Sequence, residues 1–223
     1  ISQRVKKETM TNWEASKITR DWRNCLGFEL NNEDYKWLKK ECWEAKALGD
    51  KANAELAGHM KEEYKISGIT ESLNKFILES CLKHADIEEM SILTDHRPLA
   101  ISDFWCNFQK KHEFNPPHDH SGLFSFVIFI NIPYNLREEE KYFIDIAEKV
   151  AKGEENSVKI YTSKFAFLNT HYDGKVVNDV LNVDKSFEGK MILFSAKQLH
   201  QVFPFYTSDD YRITVSGNIR LSV

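Results

Sequence analysis

The chain contains no apolar run approaching the roughly 18 residues that a membrane-crossing helix requires. Its four cysteines, Cys25, Cys42, Cys81 and Cys106, show neither the close pairing of a zinc site nor a disulfide framework. No apolar leader is visible, which agrees with a reducing, cytoplasmic setting. The chain opens at Ile1 rather than Met, so a trimmed start could have removed contrary signals. Neither sign of charge dominates either, with 30 basic and 34 acidic residues. A net charge of −4 and a pI near 6.1 give no general footprint for nucleic acid and no attraction to an anionic membrane. There is no internal repeat, low-complexity tract or linker.

What is present is enough for a sizeable core. Of the 223 residues, 42% are hydrophobic, which fits one β-rich domain with appended helices. The first ninety or so residues read as helical. Asn31 or Asn32 can cap a helix whose Tyr35, Leu38, Cys42, Ala45 and Leu48 share a face, and Thr70 can cap another carrying Leu73, Phe76, Ile77, Ser80 and Cys81. From Asp103 the pattern alternates as strands do. The division is thus a helical support at 1–102 and a strand-rich core at 103–223, with a helical insertion at 135–153. In that insertion Asn135 and Glu138 have capping-box spacing, three acids occupy the first turn, and Phe143, Ile146, Ala147 and Val150 line one face before Gly153. Strands resume at Val158, and Asp173-Gly174 signals a hairpin between Phe165–Leu168 and Lys175–Val177. The insertion reads as a lid, as a substrate wall or as decoration of a barrel edge.

The chemistry concentrates in Asn115-Pro-Pro-His118-Asp119-His120-Ser-Gly, which leads directly into the apolar run Leu123–Ile130. Side chains at i and i+2 of a strand share a face, so His118 and His120 can bind one ion while Asp119 points away. A third histidine, His200, ends the apolar segment Met191–His200, and Arg212 follows within Tyr211–Ile219. Three imidazoles that leave open positions suit a catalytic iron or zinc. His59, His84, His96, His112 and His171 have no such neighbours and read as surface or satisfied core residues. The aromatics around the motifs, Phe104, Trp105, Phe124, Phe126, Phe129, Phe194, Phe203 and Phe205, read as barrel core.

From about Trp105 to Asn218 the chain resembles the 2-oxoglutarate and Fe(II)-dependent oxygenases, in particular the prolyl-hydroxylase-like branch with phage and marine bacterial relatives. The resemblance rests on Trp105-Cys-Asn107, Pro-Pro-His118-Asp-His120-Ser-Gly, Phe126-Val-Ile-Phe-Ile-Asn131, Leu-His200-Gln-Val202-Phe-Pro204 and Arg212-Ile-Thr214-Val-Ser216. It implies a mainly β (α+β) double-stranded β-helix, or jelly-roll barrel, with the helices packed on the outer side of its larger sheet. It further implies an Fe(II) held by His118, His120 and His200, and 2-oxoglutarate as cosubstrate with its far carboxylate on Arg212. Thr214 or Ser216 would add a hydroxyl contact, and Asn107, Val127, Phe129 and Val202 would line the cosubstrate pocket. The implied reaction uses O2, decarboxylates 2-oxoglutarate to succinate and hydroxylates a C–H bond of a protein side chain, such as a peptidyl proline, or of a small molecule.

One position departs from the common pattern, which has Asp or Glu two residues after the first histidine. Here His120 stands there and the carboxylate is Asp119. The expected ligand set is the three histidines, with Asp119 as an outer hydrogen-bond acceptor; the alternative makes Asp119 a ligand after a local kink. Two other classes remain open: a three-histidine cupin-type dioxygenase that does not use 2-oxoglutarate, and a non-catalytic β-barrel binding module.

Overall fold

The computed structural model describes residues 24–52, 58–87, 98–151 and 161–222, with the backbone alone over 146–151. His96, Gly153 and the strand start expected at Val158 lie outside the described residues, as do the side chains of Ile146, Ala147 and Val150.

In chain order the elements are β1 (Leu26–Glu29), α1 (Asn32–Leu48), β2 (Glu63–Lys65), α2 (Glu71–Ile87), β3 (Leu99–Gln109), β4 (Asn115–His118), β5 (Phe124–Asn131), α3 (Leu136–Ala151), β6 (Phe165–Thr170), β7 (Val176–Leu181), β8 (Lys190–Ser195), β9 (His200–Val202) and β10 (Arg212–Leu221). The strands form a six-stranded sheet in the order β1-β8-β5-β10-β3-β2 and a four-stranded sheet in the order β4-β9-β6-β7. Every pairing between named strands is antiparallel. From β3 to β10 the chain steps between the two sheets so that β3, β5, β8 and β10 fall in the large one and β4, β6, β7 and β9 in the small one. This is the path of a double-stranded β-helix, and with three α-helices among the described residues the fold is α+β.

The N-terminal part is less purely helical than its sequence pattern suggests. It supplies β1, which pairs with β8, and β2, which pairs with β3, and β3 itself begins at Leu99. β1 and β2 are short edge strands of four and three residues. Runs of that length carry too little period-two signal to stand out beside long helices.

Helix starts follow the caps read from sequence. Asn31 Oδ1 accepts from Asp34 N at 2.8 Å, and Thr70 Oγ1 accepts from Leu73 N at 3.1 Å. Asp34 joins the two caps, accepting from Thr70 Oγ1 at 3.1 Å and Ser72 Oγ at 2.8 Å. Leu38, Cys42 and Ala45 of α1 and Leu73, Phe76, Ile77 and Cys81 of α2 are buried against the outer face of the large sheet, where Cys106, Phe108, Ile128, Ile130, Ile213 and Val215 receive them. Burial of each large side chain contributes about 1.5–3 kcal/mol. Leu48, placed on the same stripe by spacing, is 78% exposed, because it lies in the last turn beyond the sheet's cover. All four cysteines are buried; burial raises the Cys25 thiol strongly and that of Cys81 to about 12, while Cys42 is raised strongly by its hydrogen bond with Cys106 and then by burial. A second cluster, including Phe129, Phe165, Phe167, Ile192, Phe194 and Phe205, lies between the two sheets. Of the aromatics assigned to the core, Phe104 and Phe203 are only half-buried.

The hairpin at Asp173-Gly174 is present, with Thr170 opposite Val176 and Gly174 at φ 81°. At the start of α3, Asn135 Oδ1 accepts from Arg137 N at 2.9 Å. One acid of that first turn is not solvated: Glu139 is 0% exposed. It accepts from Thr162 Oγ1 at 2.7 Å, Tyr206 N at 2.9 Å, and Thr207 N and Oγ1 at 2.6 Å each. A carboxylate buried with this many donors ties the helix start to two barrel loops.

Three substitutions test this construction. Gly217 has no room for a side chain, since a Cβ there would stand 2.5 Å from the Phe126 ring and 2.7 Å from Asp103 O. Gly217→Ala should cost about 1–3 kcal/mol in denaturant unfolding, whereas Gly68→Ala, with nothing within 4 Å, should change stability little. Glu139→Ala strands several buried donors and should cost on the order of 3 kcal/mol, with loss of hydrogen-exchange protection in α3.

Candidate metal centre

The small sheet brings two of the histidines together. β4 and β9 pair so that His118 stands opposite His200, with ring centroids 4.3 Å apart. His120 lies two residues further, past the end of β4, where the chain crosses to the large sheet. The crossing turns at Gly122, whose φ of +99° and 2.5 Å approach of a notional Cβ to Ile219 O suit glycine alone. β8 ends at Ser195, so the sequence reading that placed His200 at the end of that strand is corrected: a turn at Ala196–Lys197 intervenes and His200 opens β9.

Backbone bonds interlock the two crossings. His120 N donates to Ala196 O at 2.9 Å and Ala196 N to Leu123 O at 3.0 Å. Lys197 Nζ donates to His120 O at 3.0 Å and lies 3.6 Å from Asp119. As a result, one nitrogen from each of His118, His120 and His200 falls within 4.8 Å of the others.

The ring orientations are fixed by acceptors two residues upstream. His118 Nδ1 lies 2.7 Å from Pro116 O and His200 Nδ1 lies 2.9 Å from Gln198 O. A carbonyl only accepts, so each Nδ1 carries the proton and each Nε2 keeps a lone pair for an ion. Phe165 stacks on His200 at 5.4 Å and Phe194 meets its edge at 4.8 Å. Asp119 takes no part as an acceptor for a ligand histidine. Its side chain is 51% exposed and pairs with Lys197, so the outer acceptors here are backbone carbonyls rather than the carboxylate expected from sequence.

Burial keeps these imidazoles neutral. Desolvation lowers His118 below the ordinary histidine range. His120 falls to about 4 through burial and then its neighbour His118, and His200 to about 3 through the same causes. Three neutral nitrogen donors without a carboxylate match the chemistry of a divalent first-row transition metal, and their charge leaves any such ion doubly positive and open to an anionic chelator.

The triad borders a cavity of about 50 Å³ that also reaches Arg212. Every other site residue read from the sequence borders it too: Asn107, Val127 and Phe129 from β3 and β5, Val202 from β9, Thr214 and Ser216 from β10. Asn107 organises that wall. Its Oδ1 accepts from Trp105 Nε1 at 3.0 Å, and its Nδ2 donates to Thr214 Oγ1 at 3.0 Å and Ser216 Oγ at 3.2 Å. Both hydroxyls retain protons to offer a ligand. His120 and Trp105 also border a second pocket, lined by Asp103, Ser121 and Asn218, so His120 is reached from more than one cavity. His59, His84, His112 and His171 lie outside the triad.

Arg212 is 3% exposed and none of its hydrogen-bond partners among the described residues is a carboxylate. Nη1 donates to Tyr134 OH at 3.1 Å and Ser163 O at 2.8 Å, Nη2 donates to Phe203 O at 3.0 Å, and Nε donates to Gln109 Oε1 at 2.8 Å with Nη2 on the same oxygen. The sequence reading missed Gln109, although it lies two residues beyond Asn107 on the same strand face. It also missed Glu63, a cavity residue on β2 buried to 1% exposure, because reading this part of the chain as helical gave it no inward face.

No family model matches the chain, and no curated protein matches it in a sequence search. Among solved structures the chain is similar to a prolyl-4-hydroxylase of Pseudomonas putida, with 15% identity over 87% of this chain and 89% of that one and a TM-score of 0.48. It is also similar to an oxidoreductase of the 2OG-Fe(II) oxygenase family from Burkholderia pseudomallei, with 14% identity over 73% and 62% and a TM-score of 0.40.

The histidine pKa values carry a sign that can be measured. A depressed folded pKa means the unfolded chain binds more protons below pH 6.5, so metal-free stability is full above that pH and falls as pH drops toward 4 and then 3. Thermal unfolding from pH 7.5 to 4 should show this slope, and a neutral His200→Gln variant should show a shallower one.

Proposed function

We propose that the protein is a 2-oxoglutarate- and Fe(II)-dependent dioxygenase that hydroxylates a C–H bond of a protein side chain, such as a peptidyl proline, or of a small molecule. The observation that carries this reading is the placement of three neutral, converging imidazoles and a buried, carboxylate-free arginine on one cavity. His118, His120 and His200 would hold the iron, with Pro116 O and Gln198 O fixing two of the rings. When bound, iron with 2-oxoglutarate and O2 supplies oxidative decarboxylation to succinate and oxidation of the substrate.

The chain's own residues divide the remaining work. Arg212 offers a cation to the far carboxylate, and Thr214 and Ser216 offer hydroxyl donors beside it. Val127, Phe129 and Val202 keep the cavity wall apolar, which strengthens the ion pair by excluding water. Three uncharged ligands leave the metal more positive than a set with a carboxylate does, which favours a dianionic chelator. The second pocket, at His120 and Trp105, gives a substrate access without crossing the cosubstrate's place. A cupin-type dioxygenase is favoured instead by the all-histidine ligand set, and it would leave 2-oxoglutarate unbound.

Anaerobic titration of the iron-loaded protein with 2-oxoglutarate, followed by succinate release in air, separates the two. Binding and release support the proposal; iron binding without either points to the cupin class. In the same assay His120→Ala should lose iron as fully as His118→Ala and His200→Ala. Asp119→Ala removes only an exposed ion pair, worth about 0–1 kcal/mol, and should hold iron within about fivefold of wild type; loss of iron in Asp119→Ala would make Asp119 a ligand.

A further inference from the structure

Gln109 and Arg212 are cross-strand partners at the ends of β3 and β10, both 3% exposed and both bordering the cavity of the histidine triad. The guanidinium has five N–H groups, and the described residues satisfy all of them. The acceptors differ in kind. Ser163 O and Phe203 O are backbone atoms, and the Tyr134 hydroxyl is itself bonded to Ser163 O at 2.9 Å and packed on Phe205. Gln109 is the one long, rotatable side chain among them, and its single oxygen takes both N–H groups of the Nε/Nη2 edge.

That edge is the one a carboxylate grips with two oxygens, one for each N–H. An amide oxygen fills the same fork with one atom and no charge, so the buried cation keeps its hydrogen bonds but, among the described residues, has no carboxylate bonded to it. Burying an unneutralised charge is unfavourable, which makes the fork receptive to any carboxylate that reaches it. The far end of Gln109 is held independently, with Nε2 on Glu113 O, so the side chain retains an anchor in the loop after β3.

We propose that Gln109 is an internal stand-in for a ligand carboxylate: its Oε1 occupies the Arg212 fork until a dicarboxylate displaces it, and Gln109 thereby sets the affinity for that ligand. This rests on the reading of Arg212 as the anchor for a cosubstrate, and it adds a residue that competes for the anchor. A Glu at this position would close the fork from within. An Ala would open it.

The test uses glutarate, which has the carboxylate spacing of 2-oxoglutarate without the oxo group, titrated calorimetrically into metal-free protein. Wild type should bind it, and Gln109→Ala should bind about tenfold more tightly, since the displaced bond to a charged group falls in a range equivalent to a factor of ten or more. Gln109→Glu, nearly isosteric with wild type, should bind at least tenfold more weakly while unfolding at the same or a higher temperature. Mn(II) affinity should be the same in all three, showing that the triad is intact. Equal glutarate affinities for wild type and Gln109→Glu, or no glutarate binding to wild type, would overturn the proposal, and that comparison stands even if Gln109→Ala does not fold. The cosubstrate reading fails separately: if glutarate follows the expected ranking but metal-loaded protein binds 2-oxoglutarate no more tightly than glutarate, the fork is an anion site without metal chelation.

Discussion

The centre depends on the interlock between two places where the chain leaves one sheet for the other. Residues 119–123 and 196–199 exchange backbone hydrogen bonds across His120, Leu123 and Ala196, while the β4–β9 pairing sets His118 against His200. None of these bonds uses the imidazole rings, so the three metal-facing nitrogens are positioned by backbone that is already satisfied. Organisation of this kind lowers the entropy that metal binding would otherwise have to overcome. The price is a set of desolvated histidines, visible as their lowered pKa values.

The large sheet separates two environments with one layer of backbone. Its outer face is apolar and carries α1 and α2. Its inner face bears a hydrogen-bonded polar network running from Trp105 through Asn107 to Thr214 and Ser216, continued beyond it by Ser125, Asn218 and Asp103. Buried polar groups are tolerable when each finds partners, and these do so largely across β3, β5 and β10. Arg212 extends the same logic to a full charge, compensated by dipoles rather than by a carboxylate.

Part of the site was legible because strands have a period of two: Thr214 and Ser216 share the face of Arg212, and the caps at Asn31, Thr70 and Asn135 follow from local hydrogen-bonding chemistry. Asn107, Val127 and Phe129 came instead from the family resemblance, not from alternation, and they too border the cavity. Other features left no local trace. The partners of Arg212 include backbone carbonyls of Ser163 and Phe203, which any residue could provide. Glu139 looks like an ordinary acid at a helix start, yet its surroundings come from residues 162 and 206–207, far along the chain. The exposure of Asp119 and the role of Lys197 depend on a contact between two turns that only the barrel brings together.

The alternation in β3 and β10 also constrains how this protein can vary. Along β3, Trp105, Asn107 and Gln109 face the cavity while Cys106 and Phe108 face the helices, and β10 interleaves Arg212, Thr214 and Ser216 with Ile213 and Val215 in the same way. Inserting or deleting one residue in either strand would exchange the two sets over the remaining length, sending the arginine toward the helices and phenylalanine or valine into the cavity. Changes of length are therefore confined to the connections, such as 110–114 and 171–175, while these two strands must be inherited residue for residue.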